Sequence, residues 1–175
     1  MKRRQLLASG GVALLAGCGF QLRQAPDFAF DSIVINAAAS SPLAAELRRS
    51  LAANGKVEVV SPTPTPAVTP ATPAAVRGGQ VVFELPQELR EKVVVGLNAS
   101  GQVREFQLRL RIRFRVRTPQ GRELIPETEL MQQRDISFNE AAVLAKEAEE
   151  SLLYRDMQAD LVQQLMRRLA ALRLV

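Results

Sequence analysis

The chain has 175 residues, a formal charge of +5, one cysteine, and neither histidine nor tryptophan. Without histidine it lacks the commonest general base near neutral pH and the commonest metal ligand, and a lone cysteine allows no internal disulfide and no zinc cluster. The length suits one domain with one core.

The first segment in chain order is a leader. Lys2, Arg3 and Arg4 make a charged start, and Gln5 to Gly17 form a mildly apolar run ending at Cys18. A run this short cannot cross a bilayer as a permanent helix and reads as an export signal. Leu15-Ala16-Gly17-Cys18 resembles the bacterial lipobox, in which the signal is cut before a cysteine that receives acyl chains. The expected organisation is therefore a signal over 1–17 and a single domain over 18–175 tethered through Cys18, since several acyl chains anchor a protein lastingly where one does not. Gly19 follows the cysteine in place of an inner-membrane aspartate, so the lipobox resemblance implies sorting to the outer membrane. KRRQLL fits the twin-arginine pattern only loosely, and the export route stays open. Of 23 lysines and arginines, three belong to the leader, which has no acid; 20 bases against 18 acids, a net +2, remain. That near balance does not make a globally basic nucleic-acid binder.

SIVIN (32 to 36) is a compact apolar run and predicts a strand. Ser41-Pro42 supplies a cap and a first-turn proline, Leu43, Leu47 and Leu51 repeat every four residues, and Asn54-Gly55 supplies the stop, predicting a helix from about 42 to 53. KVEVV (56 to 60) alternates as the next strand. SPTPTPAVTPATP (61 to 73) holds five of the ten prolines and reads as an exposed extended loop, because no basic or aromatic residues flank a PxxP core. Strand signals return at QVVFEL (80 to 85) and KVVVGL (92 to 97). Asn98 to Gly101 then turns into FQLRLRIRFRVR (106 to 117), so 92 to 117 reads as a hairpin. Thr118 to Gly121 makes a second turn, and ELIPETELMQQRDIS returns antiparallel with Pro126 marking an edge or a bulge. From Asn139 the period becomes helical: Leu153, Met157, Leu161, Leu165, Leu169 and Leu172 form a slowly drifting stripe. The expected fold is α+β: a two-layer sandwich, a mostly antiparallel or mixed sheet of about four to six strands with two helices on one face.

Catalytic constellations are missing. Gly78-Gly79 is a bare pair with no lysine behind it, and acidic pairs such as Glu149-Glu150 read as a solvated helix face. Nothing sets a nucleophile beside an activating partner, so neither an enzyme nor a cofactor is expected.

The arginine strand carries the chemistry. Alternation puts Phe106, Leu108, Leu110, Ile112, Phe114 and Val116 on one face, and Arg109, Arg111, Arg113, Arg115 and Arg117 on the other, about 6–7 Å apart. Glu123, Glu127, Glu129 and Asp135 on the returning strand share a parity and can face these arginines as a ladder of pairs. The same guanidinium forks suit phosphate recognition, and both readings stand.

LAGCGFQLR (15 to 23), SPLAAELRRSLAANG, SGQVREFQLRLRIRF and the tail AAVLAKEAEE with YRDMQADLVQQLMRRLAALR are similar, in this order, to segments of the LptE family of lipopolysaccharide-assembly lipoproteins. The resemblance implies a non-enzymatic component lodged in the lumen of the LptD β-barrel, assisting the barrel's assembly and placing lipopolysaccharide in the outer leaflet. It also marks Lys146 in VLAKEAEE, beside Arg109, Arg111, Arg113 and Arg115, as a candidate for binding lipopolysaccharide; a helix-surface lysine offset by Glu147, Glu149 and Glu150 is the plainer reading. At the 98–101 turn the family can carry an arginine where Ala99 and Ser100 stand here, which argues against a phosphate role for this tip. From another class, a lipid-anchored periplasmic adaptor for a different envelope complex also satisfies the tether and the inert body.

Overall fold

The computed structural model describes residues 26–60, 79–139 and 143–174. Cys18 and the proline-rich stretch therefore lie outside the described residues. The elements are β1 (Ser32–Asn36), α1 (Pro42–Asn54), β2 (Glu58–Val60), β3 (Gln80–Leu97), β4 (Val103–Arg117), β5 (Glu123–Ser137) and α2 (Val143–Ala170). The five strands form one sheet in the order β2-β1-β3-β4-β5. β1 runs parallel to both its neighbours, and β3, β4 and β5 are antiparallel. Both helices pack on the same face, which is the expected α+β two-layer arrangement with a mixed sheet.

Local sequence explains α1. Ser41 accepts a hydrogen bond from the Ala44 N–H at 3.0 Å, and Pro42 follows it in the first turn. Such a cap is worth about 1 kcal/mol. Gly55 ends the helix at φ 71°, a left-handed conformation that suits glycine, and its N–H returns to the Ala52 carbonyl at 3.1 Å. Leu43, Leu47 and Leu51 are wholly buried, so the four-residue repeat is the packed stripe.

The core joins these leucines to Ile33, Ile35, Phe83, the inward residues of β4 from Leu108 to Val116, and Met157, Leu161, Leu165 and Leu169 of α2. Phe83 and Phe114 stack at 5.7 Å between ring centroids. Each large side chain so buried stabilises the fold by about 1.5–3 kcal/mol.

The final helix is described over Val143–Ala170, and residues 140–142, where its expected start falls, lie outside the described residues. Two expectations change. The strand over 56–60 shortens to Glu58–Val60. The separate strands at 80–85 and 92–97 are one continuous strand, β3, and the hairpin with β4 reaches from Val82 to Arg117. Pro86, which has no N–H for the ladder, is absorbed in a register shift between Glu84 and Gln87, and pairing resumes beyond it. The middle of β3 hides from pattern reading because its inward positions are polar. Glu88 accepts from the Ser41 hydroxyl, and Arg90 donates to Gln158 Oε1 at 3.2 Å and lies over the Tyr154 ring. Pro126 has both expected settings: β5 is an edge strand, and its register with β4 shifts between Phe114 and Val116.

Candidate functional site

No described element covers the second face of the sheet, where β4 lies between the central strand β3 and the edge strand β5. Arg111 lies opposite Leu89 of β3 and Met131 of β5; Arg109 lies opposite Glu91 and Gln133; Arg113 lies opposite Gln87 and Glu129. Facing residues of paired strands share a side, so these rows project together from the open face.

The arginines find acids on both neighbours. Glu84 of β3 pairs with Arg115 and Arg117 together. Glu129 of β5 lies 3.2 Å from Arg113 and 3.6 Å from Arg111, and Glu91 lies 3.7 Å from Arg111. The ladder expected from β5 alone is thus half supplied by β3. Asp135 falls opposite Gln107 and accepts from its amide at 3.0 Å, and Glu123, although opposite Arg117, is not its ion-pair partner. A half-exposed pair such as Arg113 with Glu129 contributes only about 0–1 kcal/mol. Glu84, chiefly through its hydrogen bond and then its charge, raises the Arg115 guanidinium above its ordinary value.

Arg109 differs from the rest. Its Nε donates to Gln107 Oε1 at 2.8 Å, and it has no ion pair among the described residues. Gln107 passes the contact on to Asp135.

Lys146 lies on the helix side of the sheet, away from the arginines. Its ammonium donates to Ser137 Oγ at 3.0 Å and pairs with Glu149 at 2.8 Å. Lys92, inward on β3 opposite Leu108, stands nearby: it pairs with Glu150 at 2.6 Å and sits 4.5 Å above the Phe106 ring. Between the two lysines is a cavity of about 130 Å³, walled by Phe106, Ile136, Phe138 and Val143. A wider groove of about 870 Å³ continues past Arg90, Tyr154 and Arg155. The candidate residues therefore form two sites rather than one, a guanidinium face and a lysine cavity. Sequence reading missed Lys92 and Arg90; β3 read as one strand, with their parity set by Leu108 and Leu110, would have found them.

Tyr154 fixes this region to the sheet. Its hydroxyl donates to the Glu91 carbonyl at 2.8 Å, and burial, with the Glu150 charge, raises its pKa.

A mixed five-stranded sheet with both helices on one face is a fold this chain shares with bacterial lipoproteins. The chain is similar to lipoprotein B of Nitrosomonas europaea, whose solution structure it matches at TM-score 0.69 and 32% identity over 87% of this chain and 91% of that one. It shares its fold with the rare lipoprotein B of Shewanella oneidensis (TM-score 0.62, 21% identity, 81% and 95% covered). A minor lipoprotein of Acinetobacter baumannii has that fold too (TM-score 0.60, 21% identity, 83% and 94% covered). No curated protein matches. The lipopolysaccharide-assembly family LptE matches over residues 27–169, and the chain belongs to that family. It is an envelope lipoprotein with a role in lipopolysaccharide assembly.

Proposed function

We propose that this protein is the lipid-anchored companion of the LptD β-barrel at the outer membrane. It is held by acyl chains on Cys18, enters the barrel lumen from the periplasmic side, assists the barrel's assembly and helps deliver lipopolysaccharide to the outer leaflet. It does so by binding and positioning, without catalysing a reaction. The observation that carries this reading, beside the family match, is the uncovered sheet face, whose arginines are met by Glu84, Glu91 and Glu129. A body that must sit inside a wide barrel needs such a surface, because barrel interiors are polar and an apolar plug face would be poorly matched there. On this reading the open arginine face, at the end where Arg109 has no ion pair among the described residues and Arg111 only loose ones, and Lys146 in the cavity on the other side, meet lipopolysaccharide phosphates, while Arg113 and Arg115 are held by Glu129 and Glu84.

Purification of the tagged mature protein from detergent-solubilised membranes tests the reading. A stoichiometric barrel partner is expected, and depletion of the protein is expected to lower the lipopolysaccharide reaching the cell surface. Recovery of the protein always alone, with surface lipopolysaccharide unchanged, would favour an adaptor serving another envelope complex.

A further inference from the structure

The open face is divided into two zones. Toward the β4–β5 turn it is closed on itself: Arg113, Arg115 and Arg117 are tied to Glu129 and Glu84, and no large apolar side chain is exposed among the described residues there. Toward the β3–β4 turn the pattern reverses. Arg109 spends its Nε on Gln107, and its terminal nitrogens make no hydrogen bond among the described residues. Leu89, Val93 and Met131, the diagonal neighbours of Arg109 on β3 and β5, are 38%, 37% and 45% exposed. Diagonal neighbours in a sheet stand about 7–8 Å apart, so the three ring the guanidinium within reach of one bound group. One row away, Arg111 Nε is shut off from water with no hydrogen bond; Glu129 lies 3.6 Å from it, and Glu91 lies 3.7 Å from Nη2 of the same guanidinium. Three glutamates pair with four of the five arginines, and Arg109, although it faces Glu91 and has Asp135 as its fourth diagonal neighbour, is the one left without an ion pair among the described residues.

We propose that Arg109, ringed by Leu89, Val93 and Met131, is the anion-reading centre of this face. Its ligand is a phosphate carried on an acylated head group, that of lipopolysaccharide. The inference rests on the function proposed above and narrows it: the self-paired arginines 113 and 115 keep the sheet face ordered, and Arg109 makes the contact. The planar fork grips two phosphate oxygens side by side. The apolar ring receives the hydrocarbon next to the phosphate, which a fully charged ladder would repel.

The test compares binding of purified lipopolysaccharide, and of its deacylated but still phosphorylated form, to the full mature protein in detergent. Arg109→Gln is expected to weaken intact lipopolysaccharide about tenfold, as the loss of one charge-assisted bidentate contact does. Arg113→Gln, which leaves Glu129 with Arg111, is expected to change binding less than about twofold. Met131→Gln, which alters no charge, is expected to weaken the acylated form and leave the deacylated form unchanged. Each variant is first shown to melt as the parent does. No binding by the parent protein would overturn the proposed function itself. Binding by the parent with Arg109→Gln unaffected, or with Arg113→Gln equally impaired, would overturn this inference alone. So would loss of barrel recovery by Arg109→Gln with lipopolysaccharide binding intact, since the face would then belong to a protein partner.

Discussion

Arg115 and Arg117 share one carboxylate, that of Glu84 on the neighbouring strand, whose side chain is only 12% exposed. Two positions apart on β4, these arginines point the same way, and Glu84 is placed to take both because the register shift at Pro86 begins just beyond it. The bulge that absorbs a proline thus also places the one carboxylate of β3 that serves both arginines.

Glu84→Gln is expected to remove the carboxylate that Arg115 and Arg117 share, leaving them only the more distant charges of Glu123 and Glu127, and to lower Tm by about 2–4 °C, as the loss of a half-screened pair does in a domain of this size. The effect should shrink with added salt, because these arginines are partly exposed. Melting curves at low and high ionic strength check it; a Tm loss indifferent to salt would point to packing around Glu84 instead.

Gln158 is among the few buried polar side chains, 7% exposed. Its amide oxygen accepts from Arg90, and its nitrogen donates to Glu46 and to the Pro42 carbonyl, so one residue of α2 binds β3 and α1. Gln158→Leu keeps the volume but strands these partners, and a loss of about 1–3 kcal/mol is expected in denaturant unfolding. A variant as stable as the parent would mean that water already serves Arg90 and Glu46.

These two networks also show where the sequence could be read and where it could not. The α1 stripe, the turns at Gly101 and Gly121, the β4 alternation and the edge proline of β5 are local patterns, each decided within a few residues. The middle of β3 is not local. Glu88, Arg90 and Lys92 point toward the helices, where alternation calls for apolar residues, and they are tolerated only because Ser41, Gln158 and Glu150 meet them. Those partners lie 47, 68 and 58 residues away in the chain. The same reason hid half of the arginine ladder: parity made the β5 acids visible, while Glu84 and Glu91 came from a strand whose register depends on the bulge at Pro86. Lys146 was legible as a residue but not as a place, since nothing local says that α2 sets it on the side of the sheet opposite Arg109.

Cys18→Ala is expected to abolish acylation and to release the protein from the membrane fraction while its fold persists, because among the described residues the buried core starts at Phe30, twelve positions past the tether. Mass spectrometry of the amino terminus and membrane fractionation check this. A Cys18→Ala protein that stays in the membrane without acyl chains would mean that a partner, rather than lipid, holds it there.

Tyr154 gives a pH test with a single reporter, since it is the only tyrosine in the chain. Burial is the main cause of its raised pKa, followed by the Glu150 charge. The folded state therefore holds the phenolic proton more tightly than the unfolded chain does. The sign follows: this contribution to stability is complete below the ordinary tyrosine value and is lost as pH rises from that value through the raised one. The phenol also serves as donor to the Glu91 carbonyl, so ionisation turns a 2.8 Å hydrogen bond into a repulsive contact between two acceptors. Tyrosinate absorbance of the native protein should titrate above that of the denatured chain, and unfolding free energy should decline across the same interval. Tyr154→Phe is expected to cost about 0.5–1.5 kcal/mol at neutral pH and to flatten that alkaline decline. If the phenylalanine variant declines as steeply as the parent, the alkaline loss belongs to other groups and the Tyr154 to Glu91 bond is not a stabilising contact.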